Sequence, residues 1–451
     1  MDMTRDGIKV VMLPWLAFGH MPPFFQLSIA LAKEGVHVSF ISTPRNIKRL
    51  PKVPNYLAPL VNLVEFPLPK LDDTSLLPDD AEATVDVPHE KVIYLKEAYD
   101  LLRDPIKRFI IHERPDWIIV DFNADWIVEV GRDLDIPLIN FKGIPRSLHE
   151  LLTTPPHWVD FPSSITYLKD EALQVATRES VPGQDYPSLD NVCRLVAIRS
   201  CPELEGDYLE AHKRIYRKPV IPVGLLPPEE LPLDEKSLAG LDDADRQEIS
   251  KWLDRQNPKS VVFVGFGSEC KLTKDQICEI AKGVQLSGLP FLWILRKPNW
   301  ASNHTDALPS GFGKATEGRG LVHIGWAPQK EILAHSSIGG SLFHAGWGST
   351  IETLQHGHVL VVLPFIFDQG LNARLLVEKG LASEVKRNKE DGSFSGNDIA
   401  MSLREAMISD EGEELRARTR AIAAIFCDRK LHETYVRNFA KYMKTNRETK
   451  V

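Results

Sequence analysis

The chain is 451 residues long, 43% hydrophobic and 26% charged, with a formal net charge of −8 at pH 7, which is too long for one compact core and about right for two domains. Its acidic balance and the lack of any dense basic run exclude a nucleic-acid-tracking surface. Five scattered cysteines, Cys193, Cys201, Cys270, Cys278 and Cys427, contain no CxxC pair; a disulfide framework and a zinc site are therefore not expected, and a reducing cytosol is.

Ile8–Leu13 opens the chain as a short apolar run. The run continues to Phe18 but is interrupted by Pro14, lacks a small-residue cleavage site and is far short of a membrane span, so a buried strand and loop are expected, neither leader nor anchor. The loop ends in Gly19-His20-Met21, Pro22-Pro23 lead into the helical pattern Phe24–Glu34, and Gly35 separates it from the next strand, Val36–Ile41. Proline suits a first helical turn and glycine the residue past the end. Near-continuous apolar strands alternating with helices belong to a covered parallel sheet. His20 then lies in the loop leaving the first strand, where such sheets bind ligands. Trp117–Val120 is a further strand, and it ends in Asp121 at the same sheet edge.

Residues 140–190 carry little regular pattern and are expected to shape a pocket for a small molecule. Pro219–Leu241 is rich in Pro, Glu, Asp and Leu without periodicity, as a connecting segment is. The strand–helix scheme then repeats: Val261–Phe266 runs into Gly267-Ser268, Lys274–Gln285 has helical spacing, and Phe291–Leu295 is again a strand. His432–Arg447 is charged with Tyr435, Phe439 and Tyr442 interspersed, an amphipathic helix. The expected division is 1–225, a linker at 226–245, a second domain at 246–430 and a terminal helix at 431–451.

The stretch Trp326–Gln369 concentrates the chemistry. His344-Ala345-Gly346-Trp347-Gly348-Ser349 is a glycine-bearing loop running into a helix, whose N–H groups at the positive end of the dipole form an anion site. Ser349 and Glu352 also fit an S-x-x-E capping box, which is a purely local reading of the same side chains. Trp326 is either a core aromatic or a flat platform for a base. Asp368-Gln369 follow the strand His358–Leu363 and could bind sugar hydroxyls or form a solvated turn. Elsewhere, a neutral imidazole such as His20 takes a proton from a hydroxyl near neutral pH. Asp121 could hold its second ring nitrogen, with Asp125 and Asp116 as rivals. Gly265-Phe266-Gly267-Ser268-Glu269-Cys270 lacks the third glycine of a dinucleotide fingerprint, and neither a P-loop nor a nucleophile elbow occurs. Asp242-Asp243-Ala244-Asp245 lies in polar sequence and reads as a solvated helix start, so no metal is expected.

Trp-Ala-Pro-Gln at the front, His-x-Gly-Trp-x-Ser in the middle and Asp-Gln at the end make this stretch resemble the nucleotide-sugar-binding box of plant family 1 UDP-glycosyltransferases. Pro14-Trp15-Leu16-Ala17-Phe18-Gly19-His20, Ser42-Thr43-Pro44-Arg45-Asn46-Ile47 and Arg296-Lys297-Pro298 resemble the branch that includes enzymes adding a sugar to an existing glycoside. The resemblance implies an α/β GT-B fold, two Rossmann-like domains with parallel sheets facing across a cleft, and a last helix that returns to the first domain. It assigns uracil contacts to Trp326 and Ala327, ribose contacts to Gln329 and Glu352, and phosphate contacts to His344 and Ser349 in the cradle of Gly346, Trp347 and Gly348. It places Asp368 and Gln369 on the sugar, with a terminal glutamine going with glucose donors, and Ser268 near the diphosphate, where a plain turn serine is the alternative. His20 matches the family's base, and Asp121 the position of its partner.

Two residues depart from the usual box. Ala345 replaces a common cysteine, small for small. Gly348 replaces an asparagine, and the lost side-chain bond is worth roughly 1 kcal/mol, so weaker donor binding is expected. The implied function is an inverting, metal-independent transfer of glucose from UDP-glucose to a hydroxyl of a small lipophilic acceptor, a flavonoid, a terpenoid or one of their glycosides. A cytosolic monomer is expected, with no cofactor besides the donor substrate and no nucleic-acid or membrane partner. The alternatives are a non-catalytic nucleotide-sugar-binding protein and another GT-B activity, an epimerase or a phosphorylase.

Overall fold

A computed structural model describes residues 7–73, 75–142, 153–156, 158–179, 192–228, 243–303 and 305–447. They fall into two compact units, the first formed by Met1–Pro145, Pro182–Leu231 and Asp428–Val451, the second by Arg146–Val181 and Pro232–Cys427.

Unit 1 is built on seven strands: β1 (Lys9–Leu13), β2 (His37–Ser42), β3 (Val61–Glu65), β4 (Trp117–Val120), β5 (Leu138–Lys142), β6 (Leu195–Ile198) and β7 (Val220–Pro222). All neighbours pair in parallel, in the order β3-β2-β1-β4-β5-β6-β7. The central strands are apolar at nearly every position because helices cover both faces; β4 is buried along its whole length. Helix Met21–Lys33 begins earlier than the expected Phe24, since Pro22 and Pro23 occupy the first turn, where a missing N–H costs nothing. The terminal helix Arg429–Thr445, capped by the Asp428 side chain, buries Val436, Phe439, Ala440 and Met443 at three- and four-residue spacing in the core of this unit. Trp117 Nε1 donates to the Met443 carbonyl at 3.3 Å and fixes that packing.

Unit 2 carries six parallel strands, β8 (Val261–Gly265), β9 (Phe291–Leu295), β10 (Gly320–Ile324), β11 (Ile338–Phe343), β12 (Val359–Val362) and β13 (Ala382–Glu384). Their order is β10-β9-β8-β11-β12-β13. Helix Lys274–Ser287 starts on a Thr273–Gln276 capping box and stops at Gly288, whose φ of +74° suits glycine. Val262, Val264, Trp293, Leu342, Val361 and Leu403 form its core.

Both sheets have the Rossmann order, with the direction of winding reversing between β1 and β4 and again between β8 and β11. The crevice at the carboxyl ends of such a strand pair is where open α/β sheets take ligands.

Arg146–Val181 precedes the last strands of unit 1 in the chain, within the expected first domain 1–225, yet groups with unit 2. The cause is ionic. Glu171, on helix Lys169–Glu179, meets Arg374 and, at 2.6 Å, Arg387, and both guanidinium groups also reach Glu384 at 3.0 Å. These four groups are largely buried, so the segment docks where its charge is matched. Of the expected linker and pocket-forming segment, residues 229–242 and 143–152, 157 and 180–191 lie outside the described residues. Among the described residues, no helix is long and apolar enough to cross a membrane.

Candidate functional site

β1 and β4 are neighbours in register, Leu13 opposite Val120. The chain leaving β4 therefore presents Asp121 directly beside the loop that leaves β1. His20 closes that loop at the foot of helix Met21–Lys33 and donates from Nδ1 to Asp121 Oδ2 at 2.8 Å. The carboxylate also accepts the N–H of Trp15 at 3.1 Å on Oδ2 and that of Phe122 at 2.8 Å on Oδ1. Asp121 is buried, while the His20 side chain is 37% exposed, so a fixed anion backs a reachable imidazole. The rival carboxylates are placed differently: Asp116 accepts the Lys9 N–H at the other end of β1, and Asp125 lies close enough to Asp100 to repel it. Phe122 is 55% exposed, with its ring 5.4 Å from that of His20.

In unit 2, Gly265 at the end of β8 pairs with Phe343 at the end of β11. The chain after β8 turns at Gly267, φ +70°, against the imidazole of His344. A Cβ on Gly267 would come within 2.7 Å of that ring, and one on Gly346 within 2.5 Å, so the two loops close only with glycine at both positions. Burial lowers the His344 pKa to about 4, leaving the ring neutral, a hydrogen-bonding group without charge. Ala345, between them, is fully buried with a φ of +60°, a left-handed conformation that costs a side-chain-bearing residue roughly 1 kcal/mol.

Helix Trp347–Leu354 follows with Gly346 as its N-cap and no capping side chain. The capping-box reading of Ser349 and Glu352 thus fails, because the helix begins at Trp347 and places Ser349 inside the first turn. Gly346, Trp347, Gly348 and Ser349 are all half-buried around this helix start, an open N-terminus suited to an anion. Glu352 instead accepts from Gln329 Nε2 at 2.8 Å, which joins the two side chains that the resemblance places on the ribose. Ser268 is half-buried just beyond β8, its carbonyl 3.5 Å from Arg296 Nη1.

Trp326, just past β10, is 48% exposed, so it is not a core aromatic; Ala327 beside it is buried against Ile332 and Leu333 and anchors the turn. At the far end of the stretch, Asp368 is exposed at the start of helix Gln369–Glu378. Gln369 differs from the expectation. It is 5% exposed, its Oε1 accepts the N–H groups of Phe365 and Ile366 at 3.1 and 3.0 Å, and its amide lies against Cys270 Sγ at 3.6 Å. The tight turn through Phe367, φ +55°, leaves those two backbone donors without strand partners, and the glutamine satisfies them. Among the described residues, no group of three or more His, Cys, Asp or Glu side chains is disposed to hold a metal.

Two structural partners carry no motif signal. Asn372, buried, donates to the Ala345 carbonyl and to Asp368, and Glu171 lies over Gly370 at the start of the same helix.

Residues 228–415 match a family model described as UDP-glucoronosyl and UDP-glucosyl transferase. Over 96% of its length the chain is 38% identical to soyasaponin III rhamnosyltransferase of Glycine max, of which it covers 94%. It is 40% identical to UDP-glycosyltransferase 91C1 of Arabidopsis thaliana, with 98% of each chain covered. Among solved structures it resembles Arabidopsis thaliana UGT89C1 complexed with UDP-L-rhamnose, with a TM-score of 0.71, 25% identity, and 96% of this chain and 98% of that one covered.

Proposed function

The chain belongs to the plant family 1 UDP-glycosyltransferases, enzymes of GT-B fold, and from that premise we propose that it transfers glucose from UDP-glucose to a hydroxyl of a small lipophilic acceptor, with His20 as the base. The observation that carries the reading is the His20–Asp121 hydrogen bond at the winding reversal of unit 1.

With Nδ1 held by Asp121, Nε2 is the nitrogen that takes the acceptor's proton. As it does so, the acceptor oxygen forms a bond to the anomeric carbon, the bond from that carbon to the β-phosphate oxygen breaks, and its electron pair leaves with UDP. Attack from the face opposite the leaving group inverts the configuration, turning an α-linked donor into a β-linked product. Asp121 stabilises the imidazolium that forms. Unit 2 supplies the donor platform: Trp326 and Ala327 for uracil, the Gln329–Glu352 pair for the ribose, and His344, Ser268 and the N-terminus of helix Trp347–Leu354 for the negative charge that grows on the diphosphate. A neutral His344 donates there without the desolvation cost of a buried cation. Asp368 is the group offered to the sugar hydroxyls. The exposed Phe122 ring next to His20 supports an acceptor with a flat or apolar body. A relative named for soyasaponin III supports the inclusion of glycosides among the acceptors.

A second reading, a 6-deoxyhexose donor such as UDP-rhamnose, is favoured by the inward turn of Gln369. With that amide used by its own loop, the sugar is read by the Asp368 carboxylate without a second side chain to demand every glucose hydroxyl. A relative named as a rhamnosyltransferase and a similar structure complexed with UDP-L-rhamnose point the same way.

The test is mass spectrometry of reactions with UDP-glucose or UDP-rhamnose against flavonoid, terpenoid and glycosylated acceptors. The expected product gains one hexosyl unit; a gain lighter by one oxygen selects the second reading. Turnover of the nucleotide sugar without an acceptor would favour an epimerase or phosphorylase. Unchanged product formation by His20→Ala would remove the base from this role.

A further inference from the structure

Asn372 lies fully buried one helical turn after Asp368, and its Nδ2 has two acceptors: the Ala345 carbonyl at 3.1 Å and Asp368 Oδ2 at 3.0 Å. Residues four apart share a helix face, so the second bond follows from the helix itself. The first reaches across to the loop after β11 and holds the one residue, left-handed Ala345, that sits between His344 and Gly346. A primary amide has two N–H groups, and here one serves each loop.

We propose that Asn372 is a positioning residue for the donor, which sets the Asp368 carboxylate and ties it to the diphosphate-binding loop. The inference rests on the reading of Asp368 as the sugar-binding group. Asp368 is exposed, and an exposed carboxylate without an internal donor rotates freely. With Oδ2 held by Asn372, Oδ1 is the oxygen presented to a sugar hydroxyl. Because the same amide grips Ala345, the distance between the phosphate cradle and that oxygen is set by one buried side chain. Asn372 acts through Asp368 and touches no substrate itself.

The test is calorimetric titration of the full chain with UDP and with UDP-glucose, for the wild type, Asn372→Ala, Asp368→Ala and the double variant. UDP lacks the sugar, so it reports the nucleotide and phosphate contacts alone. The loss of one charge-assisted bond should weaken UDP-glucose about tenfold in Asn372→Ala while UDP weakens less than about threefold. In the Asp368→Ala background, the same substitution should add less than about threefold. The near-isosteric Asn372→Leu, which loses both donors but keeps the volume, should give the same split between the two ligands. Parallel weakening of both ligands, an undiminished effect without Asp368, or no effect would overturn the proposal. So would failure of both Asn372 variants to fold, which would make the residue purely structural. An Asp368→Ala chain that binds UDP-glucose as the wild type does would instead defeat the sugar-binding reading on which the inference stands.

Discussion

Asp121 receives the His20 imidazole at 2.8 Å, and the same carboxylate is held in place by the backbone N–H groups of Trp15 and Phe122. A buried anion with three donors cannot rotate to follow its partner; it dictates the ring's tautomer. Asp121→Asn puts an amide where three donors converge, so His20 loses both its orientation and the charge that stabilises its protonated form. We expect kcat to fall about 100-fold or more, with the affinity for UDP unchanged, because the proposed UDP contacts all lie in unit 2. Steady-state kinetics paired with UDP titration checks this, and a kcat within a few fold of the wild type would mean that the pair does not act in the chemical step.

The exposure of Trp326 lets a proposed binding role be told apart from a packing role. At 48% exposed, its truncation removes little core, while a stacked base would lose a flat apolar contact worth roughly 1 kcal/mol. Trp326→Ala should therefore weaken UDP and UDP-glucose equally, about five- to tenfold, with the melting temperature nearly unchanged. A collapse of the melting temperature with affinity intact would make the indole a structural residue after all.

Glu171 anchors its segment through buried charge. Its replacement by alanine leaves Arg374 and Arg387 sharing only Glu384, and removing one partner of a buried pair costs about 3–5 kcal/mol. The Lys169–Glu390 contact at 2.6 Å belongs to the same helix but is solvent-exposed on both sides. Thermal unfolding should thus show a large drop for Glu171→Ala and no measurable change for Lys169→Ala. Equal effects would show that burial of the network is not what docks the segment.

Two neutral histidines make unit 2 acid-sensitive. Burial lowers the pKa of His344 to about 4 and that of His358 well below its usual value, with Lys259 and His356 adding repulsion at the latter. In the unfolded chain both take a proton near pH 6.5 and in the folded chain they do not. Their contribution is therefore complete above pH 6.5 and is lost as the pH falls from there through the folded values. For His344 the loss reaches roughly 3 kcal/mol by pH 4. Melting temperatures from pH 7.5 to 4 should fall steeply in the wild type and less steeply in His358→Leu, whose position is fully buried. Parallel curves would remove His358 from the effect.

Much of the architecture was legible in the chain. Apolar runs such as Val261–Gly265 become strands because burial and backbone pairing act within a few residues, and Pro22-Pro23 mark a helix start by equally local chemistry. The candidate site was legible where it is contiguous: Trp326, His344, Glu352 and Asp368 all lie in one stretch. It was not legible where a side chain chooses its partner. Ser349 fits a cap by spacing alone, and only the position of the first helical N–H decides against it.

The amino-acid order therefore determined two parallel α/β sheets, the loops at their carboxyl ends and the chemical types gathered there, since period and punctuation are properties of neighbouring residues. Tertiary structure decided that Asp121, not Asp116 or Asp125, takes His20, that Gln369 turns inward to its own loop, and that Glu171 carries its segment onto unit 2. Each of those outcomes depends on which strands adjoin and how tightly their loops turn, and it joins residues as far apart as the 101 positions between His20 and Asp121 or the 203 between Glu171 and Arg374. Local pattern carries no information about such distant partners, because the free energy that selects them exists only once the sheets have formed and water has been excluded from between the groups.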